Sequence, residues 1–88
     1  MKLEFRKSFI RDLKRVKDRA TKNRVREAIQ SVERAKNLRE IKDLKKLSYR
    51  GRYYRIRIGD YRLGLILEDD TLILIRFLHR KDLYRYFP

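Results

Sequence analysis

YYRIRIGDYRLGLIL, running from Tyr53 to Leu67, is the stretch on which the fold turns. Tyr54, Ile56 and Ile58 point one way and Arg55 and Arg57 the other, the period-two alternation of a half-buried strand. Gly59-Asp60 then has the composition of a two-residue hairpin loop. Such a loop predicts a register in which Ile58 faces Tyr61, Arg57 faces Arg62, Ile56 faces Leu63 and Arg55 faces Gly64. Three guanidinium groups, those of Arg55, Arg57 and Arg62, then share one face. Like charges opposed across a sheet are destabilising, so the grouping points to a bound anion, and Gly64 is expected to leave room for a ligand beside them. The competing reading is an ordinary solvated face, since antiparallel sheets tolerate water on one side.

On the N-terminal side of this hairpin, Arg50-Gly51-Arg52 breaks the alternation and is expected to add positive charge at the mouth of the same face. On its C-terminal side, Glu68-Asp69-Asp70 is a turn and TLILIRFL, Thr71 to Leu78, is a third antiparallel strand, apolar on both faces and therefore central or covered on both sides. The register of Arg76 stays open: it lies on the arginine face or on the core face according to loop length. The tail HRKDLYRYFP, His79 to Pro88, mixes Arg80, Lys81 and Arg85 with Tyr84, Tyr86 and Phe87, a combination suited to phosphates and stacked bases.

Upstream, Leu3 and Phe5 alternate with Lys2 and Glu4 in a short first strand, and Ser8 is placed to cap the first helix. Phe9, Ile10, Leu13 and Val16 have helical spacing, as do Val25, Ala28, Ile29, Val32 and Ala35 after an expected cap at Thr21. Two helices with so short a connection predict an antiparallel hairpin. The segment from Asn37 to Tyr49, with Leu38, Ile41, Leu44 and Leu47 at intervals of three, reads either as a loose helical turn or as a connection pinned to the core by leucines. The sum is an α+β domain spanning 1–88: strand, helix hairpin and three-stranded antiparallel meander, with helices on one face of a small sheet.

An 88-residue chain with a net charge of +14 and a pI near 10.5 repels itself and has little core to spare, so a polyanion or an acidic protein is its expected partner. After Arg50 there are seven arginines and one lysine, and arginine is the base suited to bidentate phosphate contacts. No cysteine and a single histidine argue against a disulfide framework, a metal site or a metal cofactor. No apolar run has the length of a spanning helix, and the opening residues do not resemble a signal peptide, so a cytoplasmic protein with no membrane partner is expected.

The combination of YRIRIGDYRLGLIL with LIRFLHRKDLYRYF resembles the RelE/ParE superfamily of bacterial and archaeal toxins from type II toxin-antitoxin pairs, on its RelE side. The opening MKLEFRKSFIRDLKRV fits the start of the same family, so the resemblance covers essentially the whole chain, with GDYR and HRKDLY as its specific parts. It implies a RelE-like fold and a ribosome-dependent endoribonuclease that enters the A site and cleaves mRNA by attack of a ribose 2′-oxygen on the adjacent phosphate. It also implies an acidic, RelB-like antitoxin as partner, with operator DNA bound only through the antitoxin complex.

Carried over by motif position, the family's basic active-site residues fall on Arg55, Arg57, Arg62 and Arg80, and its aromatic residue on Tyr84. Arg50, Arg52, Lys81 and Arg85 are the expected accessory RNA contacts. Fixed guanidiniums suit the charge that develops on phosphoryl oxygens, but they have no lone pair with which to take a proton. In the best-known ribosome-dependent members the positions of Arg55 and Arg57 are lysines, so the general base here falls to Tyr84 or, second, to His79. Two other readings share the fold or the charge: a ParE-like poison of DNA gyrase without nuclease activity, and a non-enzymatic basic binding module.

Overall fold

The computed structural model describes residues 1–47 and 51–88. In chain order the elements are β1 (Lys2–Phe5), α1 (Lys7–Arg15), α2 (Arg19–Arg34), a 3₁₀ turn (Leu38–Glu40), β2 (Leu44–Lys46), β3 (Tyr53–Ile58), β4 (Tyr61–Glu68), β5 (Thr71–His79) and a one-turn α3 (Leu83–Tyr86). The strands form one sheet in the order β1-β5-β4-β3-β2, with β1 parallel to β5 and every other pair antiparallel.

The central hairpin has the register its sequence predicts: Ile58 opposite Tyr61, Arg57 opposite Arg62, Ile56 opposite Leu63 and Arg55 opposite Gly64. Gly59 takes a φ of 58°, a left-handed conformation that glycine adopts at no steric cost in a two-residue loop. Alternation then sends Tyr54, Ile56, Ile58, Leu63 and Leu65 to one side, where they join Leu72, Leu74 and Phe77 of β5 beneath Phe9 and Val16 and beneath Val25 and Val32 of α2. Both long helices therefore cover this face.

Three local readings are corrected. Ser8 does not cap α1; its hydroxyl donates to the carbonyl of Ile75 on β5. Thr21 lies inside α2, and the cap is Asp18, whose carboxylate accepts from the Thr21 amide at 3.2 Å and from its hydroxyl at 2.6 Å. That bond from the Thr21 hydroxyl, followed by the one from its amide, holds the Asp18 pKa below the ordinary carboxylate value, so the cap stabilises above that range and is lost as pH falls through the lowered value. The leucine-spaced segment is neither a continuous helix nor a plain connection. It makes the 3₁₀ turn and then an edge strand, β2, whose Leu44 pairs with Ile56 and whose Lys46 pairs with Tyr54.

A third helix lies on the opposite face of the sheet from α1 and α2. Leu83 and Phe87, buried one turn apart, pack with Leu47, Tyr53, Ile66, Ile75 and Leu78. A single helical turn is not stable alone, and burying Leu83 and Phe87 contributes roughly 1.5–3 kcal/mol apiece toward holding it.

The unsettled register of Arg76 is resolved by a bulge. Gly64 pairs with Arg76 and Leu65 with Leu74, leaving Ile75 as the extra residue. Past Leu74, β5 has no partner on its β1 side, because β1 ends at Phe5 opposite Leu74. There α1 takes over. The Asp12 carboxylate, 2% exposed, accepts from the Phe77 amide at 3.0 Å and from Arg76 Nε and Nη2 at 2.7 and 3.2 Å. Removing one partner of a buried ion pair strands the other. Asp12→Ala is expected to lower unfolding stability by about 3 kcal/mol, read as a reduced urea midpoint at unchanged m-value.

Candidate RNA-binding face

Arg55, Arg57 and Arg62 emerge on the α3 side of the sheet, as strand alternation requires, at the Gly59 end of the hairpin. Arg80 arrives from β5, its amide donating to the Asp60 carbonyl at 2.8 Å. Tyr84, 54% exposed, stands on α3 nearby. The arrangement registers on Arg62: burial lowers its pKa, the charges of Arg55, Arg57 and Arg80 lower it further, and Tyr84 acts in the opposite direction. Four guanidiniums and one phenol thus share a single electrostatic site.

Each arginine is held by backbone rather than by an acid of its own. Arg62 Nη1 donates to the carbonyls of Gly59 and Tyr61, both at 2.9 Å, folding the guanidinium over its own turn. Arg55 Nη1 donates to the Asp43 carbonyl at 2.8 Å, and its buried Nε has no partner among the described residues. Asp43 adopts a φ of 63°, which turns its carbonyl toward β3 and its carboxylate to 3.6 Å from Arg57. That ion pair is exposed, so it fixes direction more than it neutralises. A cluster with this surplus of fixed cations is suited to an anion with several oxygens, such as a phosphodiester.

The other expected residues separate into groups. Arg85 lies on α3 and Lys81 in the turn before it, both exposed. Arg52 pairs with Glu68 at 3.5 Å, five residues along β3 from Arg57 and so about 17 Å away at the strand rise, at the far end of the hairpin. Arg50 lies outside the described residues. His79 is on the α1 side of the sheet: its ring meets Tyr61 edge-on at 5.8 Å, and its Nδ1 accepts from the Lys81 amide at 3.2 Å. A ring nitrogen already accepting a backbone hydrogen bond, on the face away from the arginines, is not placed to serve them as a base.

Gly64 does not leave room for a ligand. The Phe87 ring fills the space, and a Cβ built on Gly64 would sit 2.8 Å from it. The glycine is there so that the C-terminal segment can lie flat on the sheet. Sequence reasoning also missed Arg24 of α2, whose Nη1 would meet a Cβ built on Gly59 at 2.8 Å. As one of many basic residues on an exposed helix face, it carried no distinguishing signal.

Comparison with known proteins gives this geometry its lineage. A family model described as the ParE toxin of the type II toxin-antitoxin system parDE matches residues 3–84. The chain is 43% identical over 89 residues, covering all of both sequences, to "Toxin RelE3" of Methanocaldococcus jannaschii. Among solved structures it resembles the toxin of a RelB-RelE antitoxin-toxin complex from Methanococcus jannaschii, with 40% identity, a TM-score of 0.80, and coverage of 97% of this chain and 99% of that one. An archaeal RelE-RelB complex from Pyrococcus horikoshii follows at 25% identity and TM-score 0.72, covering 90% and 93%.

The contact at Gly64 gives a direct check on how α3 is seated. Gly64→Ala is expected to cost about 1–3 kcal/mol and to loosen the C-terminal turn, read as earlier proteolytic trimming of residues 83–88 and faster amide exchange at Phe87. By sequence, by fold and by its turn-centred arginines, the chain belongs to the RelE/ParE superfamily of type II toxin-antitoxin toxins.

Proposed function

We propose that this chain is the nuclease kind of toxin: an endoribonuclease that cleaves mRNA in the ribosomal A site by attack of a ribose 2′-oxygen on the adjacent phosphate, arresting translation. The observation that carries the reading is the convergence of Arg55, Arg57, Arg62 and Arg80 with Tyr84 at one end of the hairpin. Charge builds on the phosphoryl oxygens in that reaction, and fixed guanidiniums stabilise it without reorganising. Arginine cannot relay the proton, so the Tyr84 hydroxyl takes that role, with its ring stacking on a neighbouring base. Arg85 and Lys81 extend the RNA path.

In the cell, the cytoplasm by this reading, an acidic antitoxin of the RelB kind holds the toxin inactive, and operator DNA is bound through that antitoxin. The two archaeal relatives were solved as antitoxin-toxin complexes, and a chain of net charge +14 gains from an acidic cover.

The second reading is a ParE-type gyrase poison, favoured by the family model that matches residues 3–84. Primer extension on a defined mRNA, with and without programmed ribosomes, separates the two. Cuts are expected only with ribosomes. Arg62→Ala and Arg80→Ala are each expected to lower the single-turnover rate by roughly 10²-fold, and Tyr84→Phe by a similar factor, with His79→Ala losing less. A folded protein that leaves the mRNA intact, yet inhibits supercoiling by gyrase, sinks the nuclease reading.

A further inference from the structure

Arg76 stands where three layers meet. On one side its guanidinium is gripped at two points by Asp12 of α1, at 2.7 and 3.2 Å, and Asp12 is tied in turn to the β5 backbone through the Phe77 amide. On the other side its Cζ lies 5.8 Å from the centre of the Tyr86 ring on α3, within the range of a cation–π contact. The cation is thus fixed by the sheet and presented to the C-terminal turn.

That turn has a freedom its buried anchors do not remove. Leu83 and Phe87 lie on one line of the helix, four residues apart, and set where it rests. They leave it able to roll about that line. At about 100° per residue, Tyr84 and Tyr86 flank the line on opposite sides, so a roll that lifts Tyr86 moves Tyr84 as well. We infer that Arg76, locked by Asp12, is a positioning residue that sets the roll of α3 through Tyr86 and so aims Tyr84 at the arginine cluster.

Its consequence for cleavage rests on the nuclease reading; its consequence for Tyr84 does not. Tyr86 lies on the far side of α3 from Tyr84 and need not touch substrate, so it can be changed without unpairing Asp12.

The test compares Tyr86→Leu, Tyr86→Phe and Arg76→Lys in two assays. The first is ribosome-dependent single-turnover cleavage at saturating toxin, with ribosome affinity measured alongside. The second is the aromatic ¹H–¹³C spectrum of the free protein at Tyr84. Tyr86→Leu removes the π-face and is expected to slow cleavage about fivefold at ribosome affinity within about twofold of wild type, and to shift or broaden the Tyr84 ring signals. Tyr86→Phe keeps the face and is expected to restore both. Arg76→Lys loses the two-point fork, and combined with Tyr86→Leu it should slow the reaction no further than the worse single variant, because both act through one contact. If Arg76→Lys does not fold, the two Tyr86 variants carry the comparison. Wild-type Tyr84 signals in Tyr86→Leu overturn the positioning role. If the wild-type protein itself does not cleave, the nuclease reading fails and the Tyr84 signals alone decide the role of Arg76.

Discussion

A carboxylate at 2% exposure, in a chain whose charge is overwhelmingly positive, is the constraint on which the structure depends. Asp12 answers two needs at once. It supplies an acceptor to the Phe77 amide on the stretch of β5 that β1 is too short to reach, and it gives the Arg76 guanidinium two oxygens in the right geometry. Buried ion pairs contribute little net stability, because desolvation offsets the attraction, but they are unforgiving of error in position. Asp12 therefore selects one seating of α1 on the sheet. The Arg76 pKa, raised first by that hydrogen bond, registers the same coupling from the other partner.

The two faces of the sheet do different work. The α1–α2 face is an unbroken apolar layer from Phe9 to Phe77. The other face is divided. Its Gly59 end carries the arginines, and its remaining length is sealed by the C-terminal segment, with Phe87 lying on Gly64 at the border. This division brings a residue from near the chain's end beside residues from the middle of the hairpin. It also keeps cations next to apolar surface, where fields are screened less than in open water.

The features legible in the sequence are those that depend on alternation and on turn chemistry. Gly59-Asp60 and the period of Tyr53–Leu67 specify every pairing from Arg55 to Gly64, and with it the common face of Arg55, Arg57 and Arg62. The features that are not legible depend on a partner distant in sequence. Ile75 looks like any strand residue until the bulge opposite Gly64 and Leu65 shifts the register, so the direction of Arg76 is invisible locally. The glycine at 64 does mark a space, but its occupant comes from residue 87. Three residues suffice for β2 only because β3 is there to receive them, and leucine spacing alone could not announce it. The chemistry of His79 suits proton transfer, whereas its face is set by strand parity.

The contacts from α1 to the bare stretch of β5 have another effect. An unpaired strand rim is a template on which a second chain can add, and that is how sheets begin to aggregate. Here the rim beyond Leu74 is blunted by side chains: the Ser8 hydroxyl occupies the Ile75 carbonyl and the Asp12 carboxylate occupies the Phe77 amide. The edges that remain belong to β1 and β2, and those strands carry exposed charge, Lys2 and Glu4 on one, Lys45 and Lys46 on the other. A small, strand-rich molecule is thereby protected at its margins from accretion onto its neighbours, using the same carboxylate that seats its first helix.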